Sequence, residues 1–111
     1  ATYTLQKGEF PYCIARRFDV DPNELLRLSG LTISQANILA PGTVLTIPQS
    51  GSFPENRALQ AHPTSYTVQS SNDTVYSVAC VFGDVTPDAI ASANNISVSS
   101  KLTAGQVLQI P

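Results

Sequence analysis

Charge is scarce in this chain: Asp, Glu, Lys and Arg together make up 13% of its 111 residues. The six Lys and Arg are scattered, with only Arg16 and Arg17 adjacent, and the formal net charge is −2. A nucleic-acid partner would call for a basic stripe, so that class is excluded and a neutral partner suits the surface better. Histidine is confined to His62, so a Cys–His nucleophile pair would have to borrow a residue from an apparent linker. No metal-ligating cluster, no Gly-rich phosphate loop and no arguable carboxylate pair for glycoside hydrolysis is present, and no cofactor is expected. Glu9, Asp19, Asp21 and Glu24 are offset by Lys7, Arg16, Arg17 and Arg27, the pattern of a solvated surface. No apolar run approaches the roughly eighteen residues of a membrane span. No signal-peptide pattern is visible either, so export would require a leader that has been removed or lies outside this stretch. Apolar residues nevertheless reach 42%, too many for a disordered chain.

What the chain does have is a duplication. Tyr3-Thr4-Leu5-Gln6 returns as Tyr66-Thr67-Val68-Gln69, and Tyr12, Ala15 and Phe18 return as Tyr76, Ala79 and Phe82. Val20 and Pro22 return as Val85 and Pro87, and Gly42-x-Val44-Leu45-x-Ile47-Pro48 returns as Gly105-x-Val107-Leu108-x-Ile110-Pro111. So many matches in one order make two copies of one unit.

Each copy reads as strand, helix, helix, strand. Tyr3 to Gln6 alternates like a half-buried strand. Pro11 opens a helix to about Phe18, with Ile14, Ala15 and Phe18 on its core face. Asp21 caps a second helix carrying Leu25, Leu26 and Leu28, and Gly30 ends it in a left-handed turn. Pro41-Gly42 then turns the chain into a strand over Val44–Ile47. The second copy follows suit, with Thr86 or Asp84 capping the Pro87 helix. This predicts an α+β fold: two tandem βααβ modules, each a two-stranded antiparallel sheet with two helices on one face. The boundaries are 1–48 for module one, 49–65 for a linker with one helical turn around Pro54–Gln60, and 66–111 for module two. Fully extended, the linker spans roughly 55 Å.

These residues resemble the LysM (lysin motif) family. The opening Tyr-Thr-x-Gln and the closing Gly-x-Val-Leu-x-Ile-Pro occur twice at the right distance, over Tyr3–Pro48 and Tyr66–Pro111. The resemblance implies non-catalytic binding of N-acetylglucosamine polymers, peptidoglycan or chitin, in a groove between the loop after the first strand and the loop after the second helix. Transferred by position, module two offers Asn72, Asp73, Thr74 and Val75 in the first loop and Asn94, Asn95, Ile96 and Ser97 in the second. Module one offers Gly8, Glu9, Phe10 and Pro11, then Ser29, Gly30, Leu31 and Thr32. Neither copy keeps the family's Gly-Asp-Thr signature, having Gly8-Glu9-Phe10 and Asn72-Asp73-Thr74 instead. Leu31 and Ile96 either cover an N-acetyl methyl or simply close the core, while Asp73 and Thr74 can cap a helix as well as meet a sugar. Phe10, held by Pro11, is expected to crowd the groove of module one, so module two should bind more tightly.

Cys13 and Cys80 do not align, Cys80 matching Arg16, but helical geometry puts both on the far side of their first helices from the core. That suggests an intramolecular bridge, closing a loop of about 67 residues for about 4 kcal/mol; two free thiols or pairing between chains are the alternatives. A bridge, with wall glycans as partner, places the protein outside the cell or at its wall. The pattern looks bacterial, since fungal relatives carry more cysteines and plant receptors three modules. Two glycosylation sequons, Asn72-Asp73-Thr74 and Asn95-Ile96-Ser97, matter only in a source that glycosylates exported proteins. A competing reading is a secreted structural protein whose modules self-associate into a layer or filament. No membrane span and no nucleic acid belong to either reading.

Overall fold

Proline fixes where most of the helices start. In the computed structural model, which describes residues 1–36 and 39–111, Pro11 opens α1 (Pro11–Phe18) and Pro22 opens α2 (Pro22–Leu28). Helix α3 (Val75–Phe82) lacks a proline and starts at a reciprocal cap: Ser77 N–H donates to Thr74 Oγ1 at 3.0 Å, and Thr74 N–H donates to Ser77 Oγ at 2.8 Å. Pro87 opens α4 (Pro87–Ala93). A proline at this position loses nothing, because the first N–H groups of a helix have no partner within it. The side chains supply the remaining acceptors. Asp21 accepts Asn23 N–H at 2.8 Å, and Thr86, not Asp84, accepts Ala89 N–H at 3.1 Å.

The chain forms two compact units, Ala1–Arg57 and Ala58–Pro111. In the first, β1 (Thr2–Thr4) pairs antiparallel with β2 (Val44–Thr46), Tyr3 opposite Leu45. In the second, β3 (Thr64–Thr67) pairs antiparallel with β4 (Val107–Ile110), Tyr66 opposite Leu108. Between α2 and β2 the stretch read as plain loop contains a 3-10 turn, Ile33–Gln35, closed by Thr32 and Gln35. Each unit is therefore βααβ, as the duplication predicts.

The cores use equivalent positions. Leu5, Ile14, Ala15, Val20, Leu25 and Leu45 are buried together in the first unit. Val68, Val78, Ala79, Val85, Ile90 and Leu108 are their repeat partners in the second. Each large aliphatic contributes about 1.5–3 kcal/mol by leaving water. The copies diverge at the end of the first helix. Phe82 is 3% exposed, but Phe18 is 45% exposed and meets Tyr3 only edge-on, at 5.6 Å between ring centres. The expectation that Phe18 faces the core is corrected accordingly.

The stretch read as a linker is shared between the units and holds no helical turn. Phe53 is buried in the first unit, its N–H donating to Asp19 Oδ1 at 3.0 Å. The Arg57 guanidinium donates to the carbonyls of Arg16 at 2.9 Å and Arg17 at 2.6 Å, the last turn of α1. A helix leaves its final carbonyls unpaired, and a cation there also meets the negative end of the helix dipole. On the other side, Leu59 N–H donates to the Phe82 carbonyl at 2.8 Å, and β3 already starts at Thr64. With backbone groups bonded to neighbouring elements, the segment forms no helix of its own.

This strap changes the reading of the back of α1. Cys13, Arg16 and Arg17 are all buried there. Arg16 lies between two rings, its guanidinium carbon 5.2 Å from the Tyr12 centre and 4.7 Å from that of Phe53. The far face of the helix from the core is thus a second packed layer, not solvent.

Candidate functional site

The loop after the first strand is tied in the same way in both units. At the end of β1, Gln6 N–H donates to Glu9 Oε1 at 2.9 Å; at the end of β3, Gln69 N–H donates to Asp73 Oδ2 at 3.1 Å. A carboxylate three or four residues on closes the loop against the strand end. In unit two Asn72 N–H also donates to Ser70 Oγ at 3.1 Å, leaving the Asn72 side chain exposed. Burial, and secondarily the Asp73 charge, raises the Tyr66 phenol above its usual range.

In unit one the carboxylate does more. Glu9 Oε2 accepts from Arg17 Nη1 at 2.7 Å, and the Tyr3 hydroxyl lies 2.8 Å from both carboxylate oxygens. The Glu9 side chain is 0% exposed and that of Arg17 4%. Burial and then the hydrogen bond to Glu9 push the Tyr3 phenol far above its ordinary pKa. The solvated-surface reading therefore fails for Glu9 and Arg17, whereas Glu24 and Arg27 do form an exposed pair on α2. Asp19 and Asp21 accept backbone amides instead of pairing with cations.

The loop after the second helix is also built alike. Gly30 (φ 72°) and Asn95 (φ 55°) occupy repeat-equivalent places and turn left-handed, which glycine and asparagine tolerate best. The next amide bonds back into the helix, Leu31 N–H to Leu26 O and Ile96 N–H to Ala91 O. Leu31 and Ile96 are partly buried, each packed against its unit's core. They close the core while keeping an accessible edge. Just before the turn, Ser29 Oγ accepts Thr46 N–H at 2.9 Å. Its counterpart Asn94 donates to Ile90 O and Gln109 O and accepts Gln109 N–H, all at 2.8 Å. Beyond it, Ser97 N–H donates to Ser100 Oγ at 3.0 Å, as Thr32 N–H does to Gln35 Oε1.

Several sequence-predicted contact residues are therefore already engaged. Val75 is fully buried in the core, Glu9 is sealed in its ion pair, and Asn94 and Ser29 tie helix ends to strands. Thr74 spends its hydroxyl acceptor on the α3 cap. Exposed in the two loops are Gly8, Phe10, Asn72, Gly30, Asn95, Thr32 and Ser97. The sequence missed the Tyr3–Glu9–Arg17 cluster. The legible signal was that Glu9 occupies the place of Asp73 while only the first copy has a cation one helical turn beyond Cys13.

Neither thiol is free: Cys13 and Cys80 are both disulfide-bonded, the predicted bridge. Among the described residues no group of three or more His, Cys, Asp or Glu could hold a metal, and no helix is long and apolar enough to cross a membrane. The LysM domain family model matches residues 3–48 and 66–111. Among solved structures the chain is similar to the spore cortex-lytic enzyme SleL of Bacillus megaterium QM B1551, at 32% identity over 99% of this chain, TM-score 0.39. It is also similar to the spore cortex-lytic enzyme SleL of Bacillus cereus, at 24% identity over 100% of this chain, TM-score 0.40. It spans 22% of each of those chains, and the superpositions are too loose to carry an argument. No curated protein matches.

Proposed function

The chain belongs to the LysM family, whose modules bind N-acetylglucosamine-containing glycans, and on that premise we propose that it is a non-catalytic wall-binding pair of modules. Its role is to hold peptidoglycan or chitin-type polymer at the cell surface, alone or as the targeting part of a longer enzyme. The observation that carries this reading is the matched loop pair in each unit, with a carboxylate-closed first loop and a left-handed turn after the second helix. Most loop N–H groups and several side chains are spent on holding the loops, so recognition falls to loop C=O groups and to the exposed Asn72, Asn95, Thr32 and Ser97. Those groups answer the amide of an N-acetyl group, and the accessible edges of Leu31 and Ile96 answer its methyl. A neutral sugar asks for no charge, and the outward-facing residues supply none. Two modules in one chain raise avidity through effective concentration.

Module two is the tighter site in this reading. Phe10 has extended backbone (φ −147°, ψ 159°) and precedes a buried Pro11, so its partly exposed ring has few ways to move from the first loop of module one. Thr74 at the same place is small and partly buried. The test is pull-down on insoluble peptidoglycan and on chitin, with amide-shift mapping of the soluble oligomer. Binding with shifts at Asn72–Val75 and Asn94–Ser97 is expected. Shifts confined to Phe10 and Leu31 would reverse the ranking, and no retention on either polymer would remove the function.

A further inference from the structure

Unit two has a cleft that the loop groove does not use. It has a volume of about 470 Å³ and is lined by Gln60, Ala61, Thr64, Ser65, Tyr66 and Val81, with Phe82 at its base. One wall is the chain leading into β3, fastened at two points. Leu59 N–H donates to Phe82 O at 2.8 Å, and His62 Nε2 lies 2.9 Å from Asp84 Oδ1. The other wall is the last turn of α3, where Val81 is 37% exposed. At the base the Tyr66 and Phe82 rings meet edge to face, 5.9 Å between centres. Two hydrogen bonds thus fasten one side of the cleft.

Its lining combines aromatic and aliphatic surface with three hydroxyl-bearing residues and one carboxamide, and no lining residue is charged. An ionic ligand would lose its water there without a counter-charge. A purely apolar ligand would strand the hydroxyls and the amide. A pyranose ring fits both halves, its C–H face against ring and valine, its hydroxyls and acetamido group toward Gln60 and Thr64, which shares a strand face with Tyr66. The volume lies within the range of small-ligand pockets. In unit one the residue equivalent to Val81 is Arg17, whose guanidinium is directed to Glu9.

We propose that this cleft is an accessory subsite for one neutral N-acetylated sugar unit, separate from the two loops of module two. The inference rests on the wall-glycan reading for its choice of sugar but shares no residue with the loop groove. The experiment is a titration of the intact, disulfide-bonded chain with N-acetylglucosamine trimer, followed by amide shifts, in the wild type, Val81→Arg and Gln60→Ala. Val81→Arg places a long charged side chain over the cleft from an exposed position, and Gln60→Ala removes a polar contact without adding bulk. The expected wild-type result is a second group of shifts at Gln60, Ala61, Ser65 and Val81, saturating apart from the loop group. Val81→Arg weakens that second group about tenfold or more and Gln60→Ala by a smaller factor, both leaving the loop group in place. Loop shifts with a silent cleft overturn the subsite while preserving the proposed function. Cleft shifts with silent loops support the subsite and overturn the loop site, and silence at both overturns both.

Discussion

Replacing Glu9 by glutamine should be among the most damaging isosteric changes available in the first unit. Its two oxygens accept from Gln6 N–H, Tyr3 hydroxyl and Arg17 Nη1, at 2.9, 2.8 and 2.7 Å. A carboxamide has one oxygen and one NH₂. Aim the oxygen at Gln6 and the NH₂ confronts the Arg17 guanidinium; reverse it and two N–H groups face each other. Either way Arg17, with a side chain 4% exposed, loses its counter-charge. Removing one partner of a buried ion pair costs about 3–5 kcal/mol. For so small a unit a urea dependence of about 1 kcal/mol per molar gives a midpoint roughly 3–5 M lower. The assay is urea titration of the oxidised chain followed residue by residue through amide resonances, comparing Leu5, Ile14 and Leu45 with Val68, Val78 and Leu108. The first group should shift and the second hold. Arg17→Met should cost a similar amount, and the Glu9→Gln/Arg17→Met pair should be less damaging than the sum. A displacement below about 0.5 M for Glu9→Gln, or strictly additive losses, would refute the claim that the cluster acts as a unit.

Four further outcomes can be checked. Arg57→Ala should lower the stability of the first unit by about 1–2 kcal/mol, because two carbonyls at the end of α1 lose their donors; faster amide exchange over Ala15–Phe18 would register it. Asn94→Ala removes three hydrogen bonds and should cost the second unit about 2 kcal/mol in the same urea titration, leaving the first unchanged. The Tyr3 phenol is raised by burial and by Glu9, so the folded form stays neutral where an unfolded chain ionises; stability is full below the ordinary value of 10.0 and declines as pH rises past it. Alkaline denaturation followed at the tyrosinate absorbance should show this, and a flat profile through that window would count against it. Finally, incubation with peptidoglycan or chitin should release no soluble sugar or peptide, with any turnover that survives repurification overturning the non-catalytic reading.

The helices were legible because their signals are local and occur twice. Pro11, Pro22 and Pro87 mark helix starts without reference to anything distant, and the second copy repeats the apolar spacing of the first. The strap was not legible. Helical periodicity shows which face of α1 carries the apolar residues, but not that Phe53 and Arg57 return some forty positions later to cover the opposite face. Arg16 read as solvated for the same reason, whereas Arg17 is sealed by Glu9 and Tyr3. In the candidate site the loops fall where the family pattern puts them, yet side-chain roles depend on partners across the sheet. Asn94 bonds to Gln109 and Ser29 to Thr46, fifteen and seventeen positions away. No spacing rule distinguishes such a tie from a residue left open to a sugar.

In each unit the first strand is hydrogen-bonded beside the last, with Thr2 opposite Thr46 and Thr64 opposite Ile110. Tension applied where the chain enters and leaves a unit therefore falls on one ladder rung at a time, the geometry of an opening zipper, which yields at low force. The Cys13–Cys80 bond reroutes that load. Force applied at the chain ends crosses from one cysteine to the other through the sulfurs, and residues 14–79 fall outside the stressed path. About 220 Å of contour length is thereby withheld from stretching. Strands β1 and β4 and the first loop of the first unit remain in the loaded part, while its second loop and the strap are shielded. A chain fixed at one end and pulled at the other would extend by a short, defined amount and then stop.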